Sequence, residues 1–302
     1  MSPSLRVLLT GRQGQLGQAL LTSSPPGIEV IATGREELDL SDPLACRAAV
    51  NHHRPDWVLN AGAYTAVDKA ESEPELALAI NAGAPEALAE ALAERGGRLL
   101  QVSTDFVFAG SQGSPYLPDH PVDPLGVYGA SKAEAERRVL RILGGERACL
   151  LRTSWVYGPV GRNFCLTMLR LHRQKAEAGE PLGVVADQVG CPTATHTLAR
   201  ACWSAIARNL GGILHWSDAG AATWYDFAIA IGELGTVRGL LERPAQVHPL
   251  STAQYPTPAC RPAYSLLHCT ASRAQLGLEP LHWRAALAEV LDRLTPSPAE
   301  AG

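Results

Sequence analysis

Residues 5–22, LRVLLTGRQGQLGQALLT, run a short apolar strand directly into a loop with glycine at positions 11, 14 and 17, and then into an apolar-periodic helix. Few local patterns restrict a fold as strongly. The glycines allow a tight turn, close backbone approach and close packing of helix on strand, which is the opening unit of a parallel, helix-flanked sheet. The same turn leaves backbone N–H groups unpaired at the helix start, where a pyrophosphate is held. A glycine triplet alone also fits turns of other α/β proteins. The strand before it, the helix after it and the alternation that follows give it weight.

That alternation continues through the first half. Leu5–Thr10, Ile28–Thr33, Asp56–Asn60, Arg98–Ser103 and Ala148–Thr153 read as strands, mostly continuous apolar runs of the kind covered on both faces. Helix signals lie between them. Pro43 suits the first turn after an Asp42 cap, and APEALAEALAERGG starts at Pro85 and stops at Gly96. After about Gly158 the rhythm changes to a long helix, a short strand near Leu182–Ala186, a helix near Thr197–Asn209 and Pro-rich segments such as YPTPACRP (255–262), read as ordered loop. The expected class is α/β: a Rossmann-type doubly wound parallel sheet with a smaller C-terminal α/β substrate domain. Residues 1–157 with about 194–218 are assigned to the dinucleotide side, and 158–193 with 219–302 to the substrate side. The tail TPSPAEAG reads as disordered.

Bulk properties remove several functions. The net charge of −4 gives no basic excess for nucleic acid or an anionic membrane surface. No apolar run approaches the roughly 20 residues of a membrane span, and the N-terminus lacks the pattern of a signal peptide. Seven scattered cysteines without CxxC and nine dispersed histidines without HExxH argue against a disulfide framework and against a metal site. A reducing cytoplasm is the expected location.

The chemistry gathers at the expected carboxyl edge of the sheet. The second strand ends in Gly34-Arg35 where an NAD-binding fold usually carries an acid, and Arg12 sits inside the glycine loop. Two guanidiniums there suit a ribose 2′-phosphate, which favours NADPH; Asp39, a few residues on, keeps NADH open. The fourth strand runs into STDFVF (103–108), placing the Ser103 and Thr104 hydroxyls at the edge. In VYGASK (127–132), Tyr128 and Lys132 are four residues apart on one helix face, which continues with Ala135, Val139 and Ile142 against the sheet. Glu134, Arg137, Arg138 and Arg141 fall on the water side. A phenol ionises near ~10, so a neighbouring ammonium is expected to lower it into a useful range. Thr104 would orient a carbonyl, Tyr128 would protonate its oxygen, and Lys132 would also hold the nicotinamide ribose. Trp155 follows a strand end and reads as a site wall. Trp224 and Tyr225 read as helix-stripe core, and Cys191 with the other thiols as packing. Asp68, Lys69 and Glu71 fit a solvated helix start, with Asp68 equally suited to a site.

These landmarks, together with RPDWVLNAGAYTAVDKAESEP (54–74), RTSWVYG (152–158), DQVGCPT (187–193) and YPTPACRP, resemble the extended short-chain dehydrogenase/reductase family over about residues 5–293. Within it the similarity is to the branch acting on dTDP-4-dehydro-L-rhamnose. The resemblance implies NAD(P)H-dependent reduction of the C4 carbonyl of that dTDP-sugar to dTDP-L-rhamnose, a polysaccharide precursor. It implies Tyr128 as proton donor, Lys132 as its partner and Thr104 as the carbonyl-orienting group. It further implies Asp105, Val67, Asp68 and Trp155 beside the sugar. Gly11, Arg12, Gly14, Gln15, Leu16 and Gly17 would form the pyrophosphate turn. Asp39, Leu40, Ala63, Tyr64 and Thr65 would line the cofactor groove. Arg261 is assigned to the nucleotide phosphates on its charge. Tyr64 and Phe106 depart from the residues usual there without removing a reacting group. Some members of the family bind Mg²⁺ between subunits through C-terminal acids. Glu289 and Asp292 are present without a clear match, so no metal is assigned and a homodimer stays open. An epimerase or another nucleotide-sugar reductase would share this scaffold; a catalytically silent regulatory subunit would not need the reacting residues, which are all retained.

Overall fold

The computed structural model of the chain describes residues 5–295, so the segment TPSPAEAG lies outside the described residues from 296 onward. The alternating part contains β1 (Leu5–Thr10), α1 (Gln15–Thr22), β2 (Ile28–Thr33), α2 (Pro43–His53) and β3 (Trp57–Asn60). Short helices α3 (Val67–Ala70) and α4 (Pro74–Leu78) follow, and a π-turn at Ala79–Gly83 leads into α5 (Ala84–Arg95). Next come β4 (Arg98–Thr104), α6 (Val127–Arg147) and β5 (Ala148–Thr153). Beyond them lie β6 (Val156–Tyr157), α7 (Phe164–Ala178), β7 (Leu182–Val185), β8 (Val189–Gly190), β9 (Thr193–Ala194), α8 (Thr195–Ala207) and β10 (Gly212–His215). The last elements are β11 (Ala222–Thr223), α9 (Trp224–Val237), β12 (Val247–Leu250), α10 (Thr270–Leu276) and α11 (Trp283–Asp292).

The main sheet has the order β10-β5-β4-β3-β1-β2 with every neighbouring pair parallel. This is the doubly wound arrangement expected from the βα rhythm. Its strands are apolar because both faces are covered; Leu8 and Leu9, adjacent on β1 and facing opposite ways, are each 0% exposed. One face packs on Leu16, Leu20, Leu198 and Trp203 of α1 and α8, the other on Val50, Leu88, Leu92 and Val139 of α2, α5 and α6. A separate core gathers Tyr157, Phe227, Trp283 and Leu287 in the C-terminal part. The registers Thr10↔Thr33, Thr10↔Asn60 and Thr104↔Thr153 bring the strand carboxyl ends to one edge. The strand order reverses between β1 and β3, and such a switch point opens a crevice at that edge.

Local signals explain most boundaries. Asp42 Oδ1 accepts from Leu44 N and Ala45 N at 2.8 and 3.2 Å, with Pro43 in the first turn of α2. Three findings differ from the sequence reading. The strand β10, only four residues long, completes the sheet but carries no periodic signal. Glu134 and Arg138 are half-buried rather than solvated, because Glu86 of α5 holds Arg138 at 2.6 Å and Arg141 at 2.7 Å. The helical stretch Pro74–Arg95 does reach the length and apolarity of a membrane span; 56% of its apolar window is buried within the protein, where α5 packs against α2 and α6. Its apolarity serves the core.

Candidate active site

At the switch point, Gly14 caps α1 in an extended conformation with no side-chain cap, so the first N–H groups of the helix stay available to an anion. Gly17 is required there. A Cβ at this position would lie 2.1 Å from Gly11 O and 2.9 Å from Arg12 Cα. Next to the turn is a cavity of about 330 Å³, lined by Gly11 and Gly14, by Arg35, Asp39 and Leu40 after β2, and by Ala63, Tyr64 and Thr65 after β3. A larger cavity of about 580 Å³ opens at the opposite edge, between Asp56, Arg54, Arg95 and Arg98. It holds none of the reactive residues, so its size says nothing about the chemistry.

Details within the groove qualify individual residues. Leu16 is buried in the core, leaving only its main chain to face the crevice. The Gln15 amide donates to Val156 O at 3.1 Å and accepts from Asn163 Nδ2 at 3.2 Å. Arg12 is paired with Glu37 at 2.6 Å, while Arg35 is exposed and makes no ion pair among the described residues. Asp39 accepts from the Ser41 N–H and hydroxyl, and these bonds hold its carboxyl below the usual range. Tyr64 is anchored through its hydroxyl to Glu73 at 2.7 Å.

Tyr128 stands in the first turn of α6, whose start is fixed from two sides. Val127 N donates to Glu71 Oε1 at 2.9 Å, and a Cβ on Gly129 would come within 2.2 Å of Phe106 O, so only glycine lets the helix approach the end of β4. The Phe106 and Tyr128 rings meet edge to face at 5.7 Å. Thr104 and Asp105 are 6% and 1% exposed. Thr104 Oγ1 donates to Asp105 Oδ1 at 3.0 Å and accepts from Phe106 N at 3.1 Å. The other carboxylate oxygen, Asp105 Oδ2, is buried without a partner. Burial pushes this carboxyl up to about 6, with the nearby Ser265 and Thr104 hydroxyls acting the other way.

The pairing of Tyr128 with Lys132 differs electrostatically from the sequence expectation. Tyr128 is half-buried as a residue, but desolvation of its hydroxyl end pushes the phenol up to about 12; the nearby Thr104 hydroxyl acts the other way and the charge of Asp105 adds to the rise. Lys132 does not lower it. Its ammonium is turned to Val102 O at 2.6 Å, and burial brings it down to about 8 against the opposing charge of Glu136. Both groups therefore hold their protons at neutral pH.

Around this centre, Trp155 adopts a left-handed φ of 47° just past β5 and stacks face to face on Trp224, with ring centroids 3.6 Å apart. Trp224 thus contributes to the C-terminal core and also backs Trp155; its Nε1 donates to Gln188 Oε1 at 3.2 Å. Tyr225 packs against that core, as expected for a helix stripe. Val67 and Asp68 open α3, which packs on α6. Asp68 pairs with Arg261 at 2.8 Å, and Arg261 holds its carboxyl below the usual range. That bond and Ala259 N to Asp68 Oδ1 at 3.3 Å pin the YPTPACRP loop to the sheet side. Glu289 and Asp292 are engaged separately, with His196 at 2.9 Å and Arg238 at 2.7 Å. Among the described residues no three His, Cys, Asp or Glu side chains converge as a metal site would require.

Three positions here have roles that the sequence reading does not assign, Glu71 being read there as part of a solvated helix start. Asn81, in the π-turn, exchanges hydrogen bonds with both the N–H and the carbonyl of Tyr64 and with Ser131 Oγ at 2.8–3.0 Å, joining the groove to α6. Glu71 caps α6. Glu136 is buried one turn past Lys132. Only Glu136 had a visible signal, a carboxylate repeating the four-residue spacing of Tyr128 and Lys132 on an apolar face.

The sequence profile of the family described as "RmlD substrate binding domain" matches residues 5–295. The dTDP-4-dehydrorhamnose reductase of Streptomyces griseus is 44% identical over 294 residues, covering 95% of this chain and 93% of that protein. A Streptomyces antibioticus protein called a probable dTDP-4,6-dihydroxy-2-methyloxan-3-one 4-ketoreductase is 43% identical, covering 94% of each. Among solved structures, the Bacillus anthracis dTDP-4-dehydrorhamnose reductase in complex with NADP superposes with a TM-score of 0.87 at 32% identity, covering 96% of this chain and 99% of that one.

Proposed function

The chain belongs to the RmlD family of dTDP-4-dehydrorhamnose reductases, and from that premise we infer that it reduces the C4 carbonyl of dTDP-4-dehydro-L-rhamnose with NADPH to give dTDP-L-rhamnose. The observation that carries the reading is the packing of α6, with Tyr128 and Lys132, on the end of β4 that bears Thr104 and Asp105, and its link through Asn81 to Tyr64 of the groove beside the glycine turn. NADPH, when bound, supplies the hydride. The N–H groups at the start of α1 hold its pyrophosphate, and Arg35 takes the 2′-phosphate. Thr104 orients the sugar carbonyl. As C4 gains its hydride, the Tyr128 hydroxyl gives its proton to the C4 oxygen, so one carbon–hydrogen and one oxygen–hydrogen bond form. A phenol near 12 is in the protonated form a reduction needs. Lys132, still an ammonium at neutral pH, steadies the phenolate left behind. Asp105 Oδ2 accepts from a sugar hydroxyl, Trp155 walls the sugar with Val67 and Asp68 beside it, and Arg261 reaches the nucleotide phosphates on exchange from Asp68.

In this reading residues 1–157 with about 194–218 hold the coenzyme, and 158–193 with 219–302 hold the sugar nucleotide. A cytoplasmic site of action accords with seven free cysteines, six of them buried. Purified protein mixed with NADPH and dTDP-4-dehydro-L-rhamnose is expected to consume the two one to one; unchanged NADPH would reject the reading, and an epimerase would show that result. The likeness to the Streptomyces antibioticus protein supports a second substrate, another dTDP-linked 4-keto deoxysugar. Comparing kcat/KM for the two sugars decides between them. Arg35→Ala is expected to weaken NADPH by about tenfold or more, the ~1.5–3 kcal/mol of a charged hydrogen bond, while leaving NADH unchanged. Coenzyme titrations check it.

A further inference from the structure

The face of α6 that carries Tyr128 and Lys132 continues into a third polar side chain that the reaction scheme leaves unused. Glu136 is 4% exposed. Its Oε1 accepts from Ser103 Oγ at 2.5 Å and from Arg152 Nε at 2.9 Å, and its Oε2 accepts from Arg152 Nη2 at 2.7 Å. Arg152, 2% exposed on β5, also donates to Pro118 O at 3.0 Å and lies 3.3 Å from His215 Nε2 on β10. One carboxylate thus ties α6 to β4 and β5 at the floor of the site, and Arg152 carries the link on to His215 of β10.

A buried pair of this kind adds little net stability, because desolvation of both charges offsets their attraction; an apolar pair would fill the space as well. Its placement does more. Ser103 precedes Thr104, and Arg152 precedes Thr153, the register partner of Thr104. Lys132 and Arg152 are two buried cations that share Glu136 as their neighbouring anion. The other groups around them are Tyr128 on α6, Asp105 after β4, and His215 on β10, which burial and Arg152 push down to about 3 and so keep neutral.

We propose that Glu136 is a positioning residue for the reduction: through Ser103 and Arg152 it fixes the end of β4 that bears Thr104, and from one helical turn away it keeps Lys132 an ammonium held against the Val102 carbonyl. The proposal deepens the reductase reading and rests on it for its kinetic consequence, but its electrostatic core can be read without turnover. The chain contains only three lysines, Lys69, Lys132 and Lys175. Carbon-13 labelling of the lysine side chains therefore lets NMR follow the Lys132 titration directly in the intact protein, with Lys69 and Lys175 as internal references.

Glu136→Gln keeps the shape and removes the charge. The Lys132 titration is expected to move to lower pH by about one unit, and the alkaline limb of the kcat profile should move with it. Arg152→Gln leaves Lys132 as the one cation beside the carboxylate among the groups named and should move both the other way, with Lys69 and Lys175 unmoved in either variant. Opposite shifts support the proposal. An unmoved Lys132 in folded Glu136→Gln, or the same loss of rate at every pH in both variants, would overturn it and leave Glu136 as scaffold. If Glu136→Gln does not fold, Arg152→Gln decides alone: an unmoved or acid-shifted Lys132 counts against the proposal. Absence of turnover in the unaltered protein would sink the reductase reading while leaving the NMR result to stand by itself.

Discussion

Tyr128→Phe is expected to lower kcat by roughly 10²–10⁴-fold, the usual contribution of a positioned proton donor, with little change in NADPH binding. The ring keeps its edge-to-face contact with Phe106 and α6 keeps its close approach at Gly129, so the substitution removes a hydroxyl and leaves the packing. The alternative source of the proton, water, is disfavoured at a hydroxyl end already removed from solvent. The pH dependence has a definite sign. A phenol near 12 stays protonated across the neutral range, so its own ionisation does not limit the rate there. The ammonium near 8 does: it is intact below that value and lost above it, so the unaltered enzyme should slow on the alkaline side. Steady-state rates with the dTDP-sugar across pH check both statements. A phenylalanine variant at full speed would take Tyr128 out of the mechanism.

Gly17→Ala is expected to weaken NADPH on the order of a hundredfold, or about 2.8 kcal/mol, and to lower the melting temperature as well. The added methyl meets Gly11 O at 2.1 Å and Arg12 Cα at 2.9 Å, both main chain, so no side chain can swing aside. Relief requires α1 to lift off the glycine turn. That costs about 1–3 kcal/mol of overpacking and carries the phosphate-binding N–H groups out of register. Gly145→Ala is the matched control, because a Cβ there meets nothing within 4 Å. Fluorescence titration with NADPH and thermal melts of both variants read the effect; equal behaviour of the two would refute the assignment of the turn.

Much of the frame was legible before any coordinates, for reasons that individual elements make plain. β1, β2 and β5 have the bounds their apolar runs indicate, since those runs pack under the flanking helices; Arg6, Glu29 and Arg152 within them are each ion-paired. The four-residue spacing of Tyr128 and Lys132 does put them on one face. Periodicity reports which way a side chain faces, however, and not what stands opposite. The direction of the Tyr128 shift depends on desolvation by β4 and Asp105, which no spacing expresses. Trp224 carries an ordinary helical stripe; its stacking on Trp155 is set by two segments distant in the chain. The strand β10 is too short to show a period, and its membership of the sheet follows from the edge of β5 that it covers.

That last strand has a consequence for how the molecule comes into being. Its helix, α8, packs beside α1 over the sheet face that carries Leu9, against Leu16 and Leu20 of α1, and Trp203 Nε1 donates to Leu20 O at 3.1 Å across 183 residues of chain. A nascent polypeptide emerging from the ribosome must therefore carry that greasy surface uncapped until residue 207 has cleared the exit tunnel. The two cores are threaded through each other rather than strung in series, so neither can be cut out as a continuous fragment and the late-made half acts as the closing seam of the early one.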